Sequence, residues 1–285
     1  MKKNLFVLFL SVLLLTGCVS KASVLEDNTN EYSVPEVKIE ECLDIKEENE
    51  PITQEIIGEN PLLEEELKDD KWELSSRPDD FKIPVYSGEP FVYINENKPF
   101  FTKDEIVNES YEYYSPLDDL GRSGYAMCCC GIDLFPEKER GDISMVYPSG
   151  WKQGKYDFLS TETYDGYLYN RCHLIAYCLT GIDGSSEENI PLLERNLFTG
   201  MHYLNIEGMW AVEETVYYYL KDNPTNHVMY RVTPIYEGND LLCKGVLMES
   251  YSVEDEGKGC QFCVFCFNVQ PGVKINYRTG ENNEE

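Results

Sequence analysis

The arrangement of apolar and polar residues divides the chain into a short hydrophobic start, a long polar stretch and a patterned remainder. Three segments of the remainder read as strands. His227 to Tyr236 is rich in Val, Met and Tyr, and Leu241 to Val253 is interrupted by Gly245. Cys260 to Val269 alternates aromatic and small residues up to a Pro271-Gly272 turn. Upstream, Phe91-Val92-Tyr93-Ile94 is a short strand that runs into Asn95-Glu96-Asn97-Lys98 turn chemistry. A helix is predicted from about Gly208 to Leu220, with Val212, Val216, Tyr219 and Leu220 on one apolar stripe, and Asn223-Pro224 stops it. Strands and helices do not alternate regularly, which predicts an α+β fold rather than a doubly wound sheet.

The hydrophobic start is Met1-Lys2-Lys3 followed by Leu5 to Leu15, shorter than the roughly 20 residues a membrane-spanning helix needs. It ends in Leu15-Thr16-Gly17-Cys18, which resembles the lipobox of bacterial lipoproteins. The resemblance implies cleavage before Cys18, a lipid on its sulfur, and a protein anchored at the extracellular face of the bacterial cell membrane. From Val24 to Asp80 the chain holds 20 acidic and 5 basic residues and shows no durable periodicity, although Leu62 to Leu74 has some helical tendency. Such a self-repelling stretch reads as a tether with a root-mean-square reach of roughly 40–45 Å. The expected organisation is therefore a signal peptide over 1–17, a lipidated acidic tether over 18–80, and a folded domain over 81–285.

Charge qualifies this picture. The chain has 285 residues, 24 Lys+Arg against 52 Asp+Glu, and a net charge of -28. A broad basic surface for gripping nucleic acid is excluded, because neutralising phosphates needs Lys and Arg. About half of the excess belongs to the tether, yet the remainder from Phe81 on still carries 32 acidic and 16 basic residues. Any nucleic-acid chemistry must then rest on local placement of cations in a cleft more positive than its surroundings.

Of 11 cysteines, nine fall in the domain, and Cys260, Cys263 and Cys266 have C-x-x-C-x-x-C spacing. A thiol-ligated metal or cluster is one reading. Residues three apart on a strand point to opposite faces, however, and no fourth Cys follows, so buried small hydrophobes are the preferred reading, as for Cys128-Cys129-Cys130. Neither a P-loop nor an H-E-x-x-H motif is present.

The chain has three His. His227 begins a strand and His202 precedes Tyr203-Leu204-Asn205, and both read as surface or packing residues. His173 lies in Tyr169-Asn170-Arg171-Cys172-His173-Leu174-Ile175, with Asn196, Asn205 and Glu213 following at intervals of 23, 9 and 8 residues. A neutral imidazole, with a pKa near ~6.5, takes a proton from water at neutral pH.

Asn170-Arg171-Cys172-His173 resembles the D-R-G-H signature of the DNA/RNA non-specific endonucleases, the ββα-metal or His-Me finger nucleases of DNA-entry type. Ile83-Pro84-Val85-Tyr86-Ser87-Gly88, Leu120-Gly121-Arg122, Tyr147-Pro148-Ser149-Gly150-Trp151, Tyr203 to Met209, Arg231-Val232-Thr233-Pro234 and Asn268 to Gly272 resemble further family segments in order. The resemblance implies a ββα-metal core on a mixed or antiparallel sheet with flanking helices. It also implies sequence-non-specific hydrolysis of phosphodiester bonds in DNA and RNA.

The same resemblance implies roles. His173 stands at the general base and Asn205 at the direct ligand of a divalent cation, Mg²⁺ or alternatively Mn²⁺. Glu213 stands at the acidic residue that meets the cation through water, Asn196 at an additional active-site Asn, and Arg140 and Arg171 at arginines facing the scissile phosphate. No organic cofactor is implied. The pattern is departed from at Asn170 for Asp, at Cys172 for Gly, at Met201-His202 for a Thr-Arg pair, and at Cys178 for a polar residue. Those departures leave a catalytically weak nucleic-acid-binding or uptake module as the alternative.

Overall fold

The computed structural model describes residues 81–285, so the signal peptide, the tether and the helical tendency over Leu62 to Leu74 lie outside the described residues. Strands β1 (Phe91–Tyr93), β2 (Tyr111–Tyr114), β3 (Ala126–Cys130), β4 (Lys155–Ser160), β5 (Asp165–Tyr167) and β6 (Tyr169–His173) come first. Helices α1 (Tyr177–Thr180) and α2 (Ile190–Asn196) separate β6 from β7 (Leu197–Met201). A π-helical turn over Leu204–Trp210 runs into α3 (Ala211–Asp222), and β8 (Val228–Ile235), β9 (Gly245–Ser252), β10 (Gln261–Phe267), β11 (Val273–Asn276) and β12 (Glu281–Glu284) complete the chain. The class is α+β, as the pattern predicts.

Six strands form one antiparallel sheet in the order β1-β10-β9-β8-β3-β2. Every residue of β3 and of β8 is buried, because both faces of the sheet are covered. One face carries Cys128, Cys130, Tyr230, Val232, Met248, Val264 and Cys266 into the main core, where Leu174, Leu179, Val216 and Leu220 meet them. The other face packs two smaller clusters, one around Phe265 and Leu247 and one around Met127, Cys129 and Met229. Burying one such aliphatic or aromatic side chain stabilises by about 1.5–3 kcal/mol.

The cysteines follow this division. Cys260 and Cys266 lie in the main core while Cys263 faces the opposite cluster, so the three thiols diverge as strand geometry requires. All nine described cysteines are buried. Gly245 does not interrupt a strand; it begins β9. A β-carbon there would stand 2.3 Å from the Cys266 carbonyl oxygen and 2.5 Å from the Phe265 ring, so only glycine lets β9 start against β10.

One charged group is built into the sheet. Arg231 Nε and Nη2 donate to the two oxygens of its cross-strand partner Glu249 at 2.7 and 3.0 Å, and Nη1 donates to Glu105 at 3.1 Å. Glu249 also accepts the Phe100 N–H at 2.7 Å, which fastens the segment preceding β2 across this face.

The unit that carries the candidate residues is separate from the large sheet. β6 pairs antiparallel with β7 in a two-stranded ladder from Tyr169↔Met201 to His173↔Leu197, and the helix beginning at Leu204 follows directly. This is a β-β-α arrangement. The helix is longer than its apolar stripe predicts, because the π-helical turn over Leu204–Trp210 precedes the predicted start.

Candidate active site

β6 ends on His173, which is 7% exposed. Beyond it the chain must turn, and three successive backbone N–H groups need acceptors away from a ladder. Leu174 N–H donates to the Asn196 carbonyl at 2.7 Å, Ile175 N–H to Asn196 Oδ1 at 2.9 Å, and Ala176 N–H to Glu213 Oε1 at 3.0 Å. Asn196 Nδ2 returns a bond to the Ile175 carbonyl at 2.9 Å. Asn196 is fully buried and is thus a clamp on the turn after His173, which gives the expected extra asparagine a physical task.

Glu213 lies on the buried side of α3, next to Val212 and Val216. Its Oε1 also accepts the Tyr230 hydroxyl at 3.0 Å, and its Oε2 makes no hydrogen bond among the described residues. Burial pushes the carboxyl up to about 7, and the Ala176 N–H and Tyr230 hydroxyl pull it back only in part. Oε1 therefore holds the turn.

Asn205 is half-buried in the π-helical turn, and its Nδ2 donates to Asn170 Oδ1 at 3.3 Å. That bond puts the nitrogen end of the amide, not the oxygen, on Asn170. The link between β6 and Asn205 thus runs through Asn170, three residues before His173. The same Oδ1 lies 3.2 Å from His202 Nδ1, and Asn170 Nδ2 donates to the Tyr164 hydroxyl at 3.0 Å. His202 stacks on Tyr164 with ring centroids 3.9 Å apart, and burial holds its imidazole down at about 4. It is a neutral, half-buried packing residue, as its sequence context suggests, and its ring nitrogen also meets Asn170. Its place three residues ahead of Asn205 is the one signal that marks it.

The two arginines behave differently from each other. Arg171 was expected to face a phosphate; instead its side chain is fully buried. Nε donates to the Val146 carbonyl at 2.5 Å and Nη2 to the Ser144 carbonyl at 2.8 Å, and the guanidinium lies over Trp151 at 4.4 Å and Tyr147 at 5.1 Å. Two carbonyls and two rings are a better-defined environment for a flat cation than open solvent. Arg140 is half-exposed on a loop tied to α1 through Tyr177 Oη donating to the Lys138 carbonyl at 2.7 Å. The Ser144 backbone N–H holds the nearby Asp142 carboxyl below its ordinary range against burial, with Arg171 and Arg140 adding to the effect.

The departures from the signature are absorbed locally. Cys172 fits because Gly200 lies beside it on β7: a β-carbon on Gly200 would stand 2.3 Å from Cys172 Sγ. Cys178 is 1% exposed on α1 and belongs to the apolar core.

Residues 102–254 match the family described as DNA/RNA non-specific endonuclease. A deoxyribonuclease of Streptococcus dysgalactiae subsp. equisimilis is 29% identical over 222 residues, covering 63% of this chain and 62% of that protein, so the chain spans less than two thirds of that relative. NucA from Streptococcus agalactiae, solved with a magnesium ion bound, shares the fold with a TM-score of 0.56 and 24% identity over 70% of this chain and 91% of its own. The Sda1 nuclease, solved with a bound zinc ion, does so with a TM-score of 0.56 and 24% identity over 69% of this chain and 97% of its own.

Proposed function

The chain belongs to the DNA/RNA non-specific endonuclease family, and on that footing we propose that it hydrolyses phosphodiester bonds within DNA, and within RNA, without reading sequence. The observation that carries the reading is that β6 bears both His173 and Asn170, the residue that holds Asn205 in its orientation.

The donor set fits a hard divalent cation, Mg²⁺ or Mn²⁺. Asn205 would hold it directly through its amide oxygen, and Glu213 Oε2 would reach it through water. Among the described residues no group of three or more His, Cys, Asp or Glu is placed to hold a metal ion. Such an ion, when bound, neutralises charge that develops on the phosphate oxygens.

The protein's own part is the following. His173, held by the turn that Asn196 and Glu213 secure, takes the proton of the water that attacks phosphorus. Arg140 meets the scissile phosphate, where a planar cation suits bidentate contact. Arg171 acts from beneath, by fixing β6 against the Ser144–Trp151 segment. Contacts of these kinds go to phosphate rather than to base edges, which supports cleavage independent of sequence and of sugar. The acidity of the domain and the enclosure of Arg171 support weak ground-state binding. The lipobox-like Leu15-Thr16-Gly17-Cys18 supports a location at the outer face of the cell membrane.

The test is incubation of the full chain with plasmid DNA and with RNA in Mg²⁺, in Mn²⁺ and in chelator. Cleavage with either ion and none with chelator is the expected result. A mobility shift without cleavage under every condition would replace this reading by a binding module.

A further inference from the structure

A family signature with Asp at position 170 needs no orienting device, because the two oxygens of a carboxylate are chemically alike. This chain has Asn170, whose two ends are opposite in hydrogen-bonding character. Asn170 is 2% exposed and Tyr164 is 7% exposed, so water does not stand in for a misplaced partner.

The polarity of the surrounding bonds can be followed from a group that cannot invert. The Tyr167 backbone carbonyl only accepts, so the Tyr164 hydroxyl donates to it. The Tyr164 oxygen then accepts from Asn170 Nδ2. Asn170 Oδ1 is thereby turned towards His202 and Asn205, so His202 must carry its proton on Nδ1 and Asn205 must present Nδ2. Asn205 Oδ1 is then the end of the amide that Asn170 does not engage. A neutral imidazole has a single N–H, so the tautomer of His202 reports the direction of the whole chain of bonds.

We propose that Tyr164 and His202 are positioning residues, which with Asn170 form a directional relay from the Tyr167 carbonyl that fixes the amide of Asn205 with its nitrogen, not its oxygen, on Asn170. The relay rests on the reading of Asn205 as the cation holder only in its last step. It makes Tyr164 necessary in this chain in a way that an Asp at position 170 would not.

The test uses the full chain with ¹⁵N-labelled histidine and three variants. Nitrogen shifts of His202 read the tautomer without metal, and Mn²⁺ titration followed by electron paramagnetic resonance reads cation affinity without substrate. The wild type should show the Nδ1–H form. Tyr164→Phe keeps the ring stacked on His202 and removes only the hydroxyl, and should lower the Nδ1–H to Nε2–H ratio about fivefold, the weight of one ordinary hydrogen bond. It should also raise the Mn²⁺ dissociation constant about threefold, as the competent orientation becomes less populated. Adding Asn170→Asp to Tyr164→Phe should restore both readings, which a merely structural loss would not allow. Asn205→Ala should abolish Mn²⁺ binding and leave the Nδ1–H form in place. An unchanged tautomer in Tyr164→Phe, or failure of Asn170→Asp to restore it, would overturn the relay. A shifted tautomer with unchanged Mn²⁺ affinity would uphold the relay and overturn Asn205 as the cation holder.

Discussion

Glu213 on α3 accepts the backbone N–H of Ala176 at 3.0 Å, three residues beyond His173, so the helical segment that carries Asn205 also secures the turn after the proposed base. One element thereby sets the position of both halves of the site. Four consequences can be measured.

The first concerns pH. The Glu213 carboxyl is raised to about 7 in the fold, from an ordinary value of 4.5. As pH rises between these values, the unfolded carboxyl loses its proton while the folded one keeps it, so this group's contribution falls with rising pH across that window. Glu213→Gln keeps an acceptor for Ala176 and Tyr230 and cannot ionise. Melting temperatures should coincide at about pH 4.5 and diverge in favour of the variant by about pH 8. Parallel curves for the two proteins would contradict the buried, raised carboxyl.

Asn196 gives a second prediction. Asn196→Leu leaves the Ile175 N–H and C=O buried without partners, at about 1–3 kcal/mol for each group. Denaturant unfolding should show a loss of about 2–4 kcal/mol, and kcat should fall while KM changes little, because the turn positions His173 and does not bind substrate. A KM effect alone would make Asn196 a substrate contact.

For Arg171 the prediction separates support from phosphate binding. Lysine cannot bridge the Val146 and Ser144 carbonyls as a planar fork, nor stack on Trp151 in the same way. Arg171→Lys should therefore lower stability by about 1.5–3 kcal/mol, seen as a lower melting temperature. An unchanged melting temperature with a large rise in KM would return Arg171 to the phosphate.

Gly200 and Cys172 should be coupled. Gly200→Ala forces its β-carbon against Cys172 Sγ and should destabilise by about 1–3 kcal/mol. Adding Cys172→Gly removes the clash and should recover most of the loss in a double-mutant cycle. Additive effects would mean that the two positions do not share this space.

The strands of the large sheet were legible to different degrees, for physical reasons that differ from place to place. β10 mixes aromatic and small residues and is buried on both faces, and it ends at Phe267, ahead of the Pro271-Gly272 turn where Gly272 has φ 83°. β8 announces itself by its Val, Met and Tyr content. β3 does not: Ala-Met-Cys-Cys-Cys is buried on both faces, so no alternation remains to be read. β6 is the extreme case, since Asn170, Arg171 and His173 are all buried, and Asn170 and Arg171 are held by partners remote in sequence.

The site was legible where a residue type identifies its chemistry, and illegible where geometry does. His173, Asn205 and Glu213 stood out through the resemblance of their segment to a family signature. The enclosure of Arg171 did not, because its ligands are backbone carbonyls that no residue type betrays. The partners of Glu213, Tyr230 and Ala176, are likewise brought to it only by the fold.

The most direct measurement is plasmid nicking by the full chain in Mg²⁺, compared among the wild type, His173→Ala and Asn205→Ala. The account predicts cleavage by the wild type and a loss of at least about 10²-fold in each variant, the scale of a removed general base or of lost charge stabilisation. Undiminished cleavage in both variants would contradict it.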